Sequence, residues 1–213
     1  MSAIVVLIFL CSQIQTSSTP QTNSLEIEKI VAVVNNQPIL KTDIIWNLAL
    51  DPKVSNGELF LAETQQQMLE RLIDQKLLLQ EAKGLPAVEP TEAEVAQAIA
   101  KLIELFPSEA FFYDRIASVG LTKNALQDII RSRLIILNFI DFRFRAFATV
   151  SETEIVNYYE KFLLPRLPSK EARPMQTAER DLIEKILIEE QVSNATESYI
   201  DELRQQAEII IIE

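Results

Sequence analysis

Histidine is absent from the sequence, and cysteine occurs once, as Cys11 near the N-terminus. A chain without histidine cannot form a serine–histidine–aspartate triad or an imidazole metal site. One cysteine cannot form a disulfide within the chain, and cleavage of the N-terminus would remove it. We therefore expect no catalytic residue, no metal site and no cofactor.

Glycine is also scarce, with three positions among 213 residues, and the nine prolines add few further breaks. A many-stranded sheet would need more turn residues than this. Hydrophobic residues make up 48% of the chain and charged residues 24%, which is the composition of a globular protein. Leu, Ala, Glu and Gln are abundant and favour helices. The composition therefore predicts a mostly α fold.

Positive charge is in deficit, because 20 Lys and Arg residues face 31 Asp and Glu residues for a net charge of -11. Nucleic-acid affinity comes largely from basic side chains that neutralise phosphates, and anionic membrane surfaces attract basic proteins in the same way. We therefore expect neither nucleic acid nor an anionic membrane surface as a partner. Acidic pairs such as Glu189 and Glu190 are interpreted as solvated helix faces.

The N-terminal segment contains an apolar run, AIVVLIFL at residues 3–10, followed by a polar stretch of small residues. This is the layout of a secretory signal, and the run is shorter than the about 20 residues of a membrane-spanning helix. No basic residue precedes Lys29, which departs from the usual signal, and Leu10 before Cys11 does not fit a lipoprotein signal. A buried strand or a wrongly assigned start is the alternative. We predict export, with membrane contact only through an uncleaved N-terminus.

A short hairpin is predicted next, from the β-branched run at residues 30–34, the turn residues Asn35 and Asn36, and the extended piece at residues 38–40. Thr42 or Asp43 is predicted to cap a helix that starts at Ile44. Amphipathic spacing and the capping boxes at residues 91–94 and 151–154 predict the helices that follow. Their expected ranges are residues 59–83, 91–106, 108–119, 122–148 and 151–162.

The C-terminal part begins with LLPRLPSKEARP at residues 163–174, where three prolines preclude regular structure. A final helix is predicted from about Thr177, with a break near Ser193 and Asn194, followed by a buried strand in AEIIIIE at residues 207–213. A two-stranded hairpin alone is marginal in water, so we expect this strand to pair with the N-terminal hairpin. We predict a signal peptide and leader at residues 1–24 and a helical domain at residues 25–162. A linker is predicted at residues 163–174, and the helix and strand at residues 175–213 complete the core.

Aromatic residues are the candidate binding groups, because apolar surface bordered by polar residues binds exposed apolar segments. The adjacent residues Phe111, Phe112 and Tyr113 cannot all face one side of a helix. Core packing is the favoured interpretation for any one of them, but at least one is expected at the surface or in a groove. The candidate substrate-binding residues are Phe106, Phe111, Phe112 and Phe142.

The sequence DFRFRAF at residues 141–147 alternates aromatic and basic residues, which in isolation suggests stacking on nucleic acid. On a helix, Phe144 and Phe147 would share a face while Arg143 and Arg145 point elsewhere. We interpret this segment as the edge of the core with arginines that extend to solvent.

Three segments resemble parts of the SurA family of periplasmic chaperones, whose relatives include PrsA- and PpiD-type folding factors. They are IEKIVAVVNNQPILKTDI at residues 27–44, VSETEIVNYYEKF at 150–162 and YIDELRQQAEIIIIE at 199–213. The resemblance implies a helical chaperone core with a small β element. It also implies an ATP-independent holdase that binds unfolded or nascent envelope and outer-membrane proteins in the periplasm, without nucleotide. A parvulin isomerase domain, which members of that family normally carry where residues 163–174 stand, is missing.

Two other functions remain open on the sequence. The chain could be a peptidyl-prolyl isomerase with a site of unrecognised type, or a structural subunit that buries its apolar faces in one partner of an envelope complex. The resemblance favours the holdase. Because the parvulin site is absent from the chain, no enzyme activity is expected.

Overall fold

A hairpin, a series of helices and a closing strand follow one another along the chain. The computed structural model describes residues 28–166 and 174–212. The elements are β1 (Ile30–Val34), β2 (Gln37–Leu40), α1 (Lys41–Ala49), α2 (Ala62–Ala82), α3 (Glu92–Ile103), α4 (Glu109–Ser118), α5 (Lys123–Arg143), α6 (Glu152–Tyr158), α7 (Thr177–Gln206) and β3 (Ile209–Ile211). The predicted mostly α fold with a small β element is confirmed.

The N-terminal hairpin turns at two asparagines. Asn35 and Asn36 have φ angles of 47° and 65°, which asparagine tolerates better than most residues and which match the twist of the flanking strands. Val34 pairs with Gln37 directly across this two-residue turn. The predicted hairpin is therefore confirmed, together with its turn residues.

The closing strand β3 pairs antiparallel with β1, so the sheet has the order β2-β1-β3. Asn35 reinforces the junction, because its backbone N–H donates to the Glu208 carbonyl and its Oδ1 accepts from the Glu208 N–H, each at 2.9 Å. The predicted pairing of the two ends is confirmed. The prediction that β3 is buried is wrong, since Ile210 and Ile211 are 49% and 48% exposed on an edge strand.

Two cores form the body of the protein. The first lies between the sheet and helices α1 and α2, and the second lies among α3, α4 and α5. The spacing of apolar residues on each helix places one stripe toward these cores, as amphipathic helices require. Their most buried members include Val34, Ile39, Leu48, Ile73, Val95 and Phe112.

Two smaller cores involve α7, which has 30 residues and is about 45 Å long. Its C-terminal half packs with the end of α2 and with Phe139 of α5, through Tyr199 and Ile200. Its N-terminal half packs on α6, where Ile155 and Ile183 are fully buried. One long helix therefore connects the body to the α6 region, and the predicted break near residues 193–194 is wrong.

The capping boxes lie where the sequence predicts them. Thr91 and Glu94 begin α3, and Ser151 and Glu154 begin α6. In each box the hydroxyl accepts from the N–H of the third helical residue, and the glutamate carboxylate accepts from the cap backbone. These starts depend on residues three apart in the chain, which is why the sequence predicts them well.

Other helix boundaries differ from the prediction. α1 begins at Lys41, and Asp43 is its third residue, with a carboxylate that accepts from the Leu40 N–H at 2.9 Å. The predicted start at Ile44 is therefore three residues late. Three other helices end earlier in the sequence than predicted. α3 ends at Ile103, α5 ends at Arg143, and α6 passes into a π-helical turn at Tyr159–Leu163.

A buried arginine joins α4 to the connection between α1 and α2. The Arg115 guanidinium donates to the Ala49 carbonyl at 2.8 Å, to the Val54 carbonyl at 2.6 Å and to the Leu48 carbonyl at 3.2 Å. It also donates to the Asn56 side chain at 2.5 Å. These carbonyls lie at and beyond the end of α1, where the helix itself provides no donors. Arg115 therefore provides donors for several backbone carbonyls at the start of this connection.

Replacing this arginine should destabilise the protein strongly. In Arg115→Met the side chain stays long, but several buried carbonyls lose their donors, at an expected cost of about 3 kcal/mol in the free energy of unfolding. Urea unfolding followed by circular dichroism measures the change. The control is Arg131→Met, which removes only an exposed ion pair with Glu92 and should cost less than about 1 kcal/mol. Equal costs for the two variants would contradict the role of Arg115.

Stability should fall on the acid side because of the capping boxes. Hydrogen bonds from Thr91 and Ser151 hold the pKa values of Glu94 and Glu154 below the ordinary 4.5. A carboxylate with a lowered folded pKa contributes stability that is present above pH 4.5 and is lost as the pH falls through the folded value.

Replacement of both glutamates by glutamine, Glu94→Gln with Glu154→Gln, should therefore reduce the stability lost between pH 5 and pH 3. Urea midpoints at a series of pH values measure this slope. The control is Glu104→Gln, which removes one such charge at the other end of α3. An unchanged slope in the double variant would show that the caps do not contribute to acid sensitivity.

Candidate functional site

The four predicted binding phenylalanines fall into two groups. Phe106 and Phe112 are buried in the second core, with ring centroids 5.2 Å apart in an edge-to-face arrangement. They cannot contact a client in this conformation, because surrounding helices cover them. Phe111 and Phe142 are 39% and 54% exposed, so only these two of the four candidates offer surface.

The structure does not bring the two exposed candidates together. Phe111 lies on α4, which packs with Leu126 and Ile130 in the N-terminal half of α5. Phe142 lies in the last turn of α5, a helix of 21 residues and about 31 Å. Phe111 and Phe142 are therefore at different ends of the body and do not form one pocket.

Phe147 is 78% exposed and is not among the four predicted binding residues. α5 ends at Arg143, and a 3₁₀ turn at Arg145–Phe147 follows it. Phe144 and Phe147 are therefore not part of one continuous α-helix, although both rings line the same pocket. We name Phe142, Phe144 and Phe147 the aromatic corner, which surrounds an open pocket together with Arg143 and Ala146. Helical periodicity continues through this segment, so local sequence gives no sign of the bend.

Tyr199 of α7 packs against the inner side of the aromatic corner, where it contacts Phe144 and Arg143. Its ring lies edge-on to Phe144 at 5.7 Å and near Phe139 at 6.4 Å, and the Arg143 guanidinium carbon lies 4.3 Å from its ring centroid. Its hydroxyl donates to Glu81 at 2.6 Å. Burial and the neighbouring Glu81 carboxylate raise the pKa of Tyr199 to about 12. The hydroxyl therefore stays protonated and remains a donor.

Arg145 fixes the turn that exposes Phe147. Two of its nitrogens donate to the two carboxylate oxygens of Glu189 on α7, at 2.6 and 2.8 Å, and Nε donates to Asp141 at 2.7 Å. These contacts raise the pKa of Arg145 and lower that of Glu189. Arg145 is thus held by two exposed carboxylates, and its own side chain stays 38% exposed, as the interpretation of this segment as a core edge with arginines extending to solvent predicts.

A second apolar recess, which we name the central cleft, lies among α1, α2 and α5. Its volume is about 260 Å³. On one side Trp46 donates its indole N–H to the Val119 carbonyl at 3.0 Å, which fixes the ring. The remaining lining mixes apolar, polar and charged residues: Ile39, Leu72, Leu79, Ala125, Ile129, Asn47, Gln75, Ser132, Asp43, Lys76 and Asp128.

Several charged side chains form helix caps and ion pairs, such as Glu94 at the start of α3 and Arg145 with Glu189. Over residues 28–166 and 174–212, no group of three Cys, Asp or Glu side chains is placed to hold a metal ion. In the same part of the chain, no helix combines the length and the apolar character needed to cross a bilayer.

Residues 1–140 match the family model described as the SurA-like N-terminal domain. The match spans well over half of the chain. The chain belongs to the SurA-like N-terminal domain family. This confirms the family indicated by the hairpin segment. No curated protein matches the chain.

The family match ends at Ile140, so the aromatic corner lies just beyond the part of the SurA-like domain that defines the family. α6, α7 and β3 also follow it. Between Leu163 and Thr177 the sequence has room for no inserted domain. The structure shows a 3₁₀ turn at Leu164–Arg166 in this predicted linker, and residues 167–173 lie outside the described ranges, as does the predicted signal at residues 1–24.

Tyr199 should stabilise the SurA-like domain chiefly through its ring. Tyr199→Leu removes the contacts with Arg143 and Phe144, at an expected cost of about 2 kcal/mol in unfolding free energy. Tyr199→Phe retains the ring and loses only the hydrogen bond to exposed Glu81, and should cost less than about 1 kcal/mol. Urea unfolding compares the two variants. A larger loss of unfolding free energy for Tyr199→Phe than for Tyr199→Leu would show that the hydroxyl contributes more than the ring.

Proposed function

We propose that the protein is an ATP-independent holdase that binds unfolded segments of envelope or outer-membrane proteins in the periplasm. Membership of the SurA-like N-terminal domain family supports a role of chaperone type. The observation that carries the proposal is the aromatic corner, where Phe142 and Phe147 expose 54% and 78% of their surface near each other. Residues 1–24 would direct export.

The aromatic corner suits reversible binding of unfolded chains. Burial of apolar surface contributes about 25 cal/mol per Å², and aromatic side chains bury roughly 150–250 Å² each when fully covered. Two exposed rings can therefore contribute a few kcal/mol to a contact that needs no particular client sequence. Phe144 and Tyr199 hold the base of the corner in place, so little ordering entropy is lost on binding.

The central cleft supplies a second contact of a related kind. Its volume of about 260 Å³ lies below that of most small-molecule sites, which hold roughly 300–1,000 Å³. A recess of this size with a mixed apolar and polar lining suits a side chain of a polypeptide better than a cofactor. The net charge of -11 keeps a protein with such exposed apolar surface soluble.

The holdase function predicts that loss of the corner aromatics weakens protection of an unfolded client. The double variant Phe142→Ser with Phe147→Ser should need at least about threefold more protein than the wild type to halve aggregation of a heat-unfolded test enzyme. The physical reason is the lost apolar contact area. Light scattering at a series of molar ratios measures this.

The matched control is Phe60→Ser. Phe60 is 65% exposed and lies just before the N-terminal end of α2. The aromatic corner adjoins the core at the C-terminal end of α2, so Phe60 is an exposed aromatic residue away from the corner. This variant should protect the client as the wild type does. If the wild-type protein does not reduce aggregation of the test enzyme, the holdase proposal is wrong.

Two further measurements separate the alternatives. Acceleration of proline-limited refolding at catalytic amounts of protein would favour an isomerase over a pure binding protein. Co-purification of one stoichiometric partner would favour a structural subunit. The holdase proposal expects neither result.

A further inference from the structure

The two edges of the sheet differ in whether another strand can pair with them. On the β2 edge, Val34 and Gln37 flank the two-residue turn and form a hydrogen-bonded pair, so the next pair, Val33 and Pro38, is of the non-bonded type. The backbone nitrogen of Pro38 therefore faces outward, where it carries no hydrogen to donate. Proline at such a position prevents an edge from accepting a further strand.

The β3 edge has no such protection. The Asn35 N–H donates to the Glu208 carbonyl and the Ile212 N–H donates to the Val31 carbonyl, both at 2.9 Å. Because bonding alternates along an antiparallel strand, positions 208, 210 and 212 face β1. The N–H and C=O groups of Ile209 and Ile211 therefore face away from it. In the part of the chain described, β3 is the last strand of the sheet on this side.

The side chains along this edge are apolar. Ile210, Ile211 and Ile212 are each 41–49% exposed, and the strand contains no lysine or proline of the kind that usually protects an edge. A segment laid along β3 could thus form up to four main-chain hydrogen bonds with Ile209 and Ile211. It would also cover isoleucine side chains that now face solvent.

We propose that the free edge of β3 binds an extended segment of an unfolded polypeptide by strand addition, with apolar side chains and flanking Lys or Arg. The identity of the occupant rests on the proposed holdase function. The basic flanks follow from charge, because exposed Glu208 adjoins the edge and the protein carries a net charge of -11. Pairing with a second copy would instead bring two such negative charges together.

Hydrogen exchange measured by NMR on the full chain tests this proposal at the atoms concerned. The probe is the peptide KVTITVK, compared with the same peptide N-methylated at alternate residues and with EVTITVE. In the free protein the amides of Ile210 and Ile212 should exchange slowly, and those of Ile209 and Ile211 should exchange fast. A saturating concentration of KVTITVK should slow the exchange of the Ile209 and Ile211 amides at least tenfold.

The N-methylated peptide should give no such protection when its methyl groups face the edge, because it cannot form the hydrogen bonds. EVTITVE should bind at least threefold more weakly at low salt, with the difference reduced at high salt. Unchanged exchange at Ile209 and Ile211 would overturn the proposal. So would equal protection by the N-methylated peptide, or protection that rises with protein concentration without any peptide.

Failure of this inference is distinguishable from failure of the holdase function. If strand addition is wrong but the holdase is right, the wild-type protein still suppresses aggregation, and no peptide protects Ile209 or Ile211. If the holdase is wrong, suppression is absent whatever the peptides do. A protein variant adds a further check: Ile211→Pro removes an outward N–H, and Ile211→Ala keeps it. With both folded by circular dichroism, only Ile211→Pro should lose peptide binding.

Discussion

The pairing of β3 with β1 fixes the position of α7, and α7 in turn supports the aromatic corner and leads directly into the β3 edge. Strands some 180 residues apart in sequence meet in this pairing, so the loop between them is the whole helical body. Just before β3, the Arg204 guanidinium donates to Asp74 at 2.5 Å and to Glu70 at 3.1 Å on α2. The end of α7 is thus held by the sheet and by α2 together, and Tyr199 lies one to two turns away from this anchor.

Much of this fold could be predicted from the sequence because its signals are local. The turn at Asn35 and Asn36 and the capping boxes at residues 91–94 and 151–154 depend on residues at most three positions apart. The pairing of the chain ends is a long-range contact, but it could be inferred because an isolated hairpin and an isolated isoleucine strand are both marginal in water. The edge position of β3, and hence its exposure, does not follow from that argument.

The candidate site was less predictable, because tertiary contacts determine it. Apolar periodicity would continue α5 through Phe147, but Arg145 bonds to Glu189, 44 residues later, and the chain leaves the helix after Arg143. The same limit applies to Phe106 and Phe112. Adjacent aromatics on a helix show that some must be exposed, and only the packing of α3, α4 and α5 decides which of them are buried.

The proposed corner and the proposed edge site share one helix, which constrains how they could act on one client. Between Tyr199 and Ile209 the chain completes α7 and enters β3, a path of roughly 20 Å at helical and strand rises. An extended client advances about 3.3 Å per residue, so about six residues would cover a path of this length. A client held at both would gain from effective concentration without a tighter contact at either surface. Since α7 is unbroken, this spacing is set by the helix and not by a flexible linker.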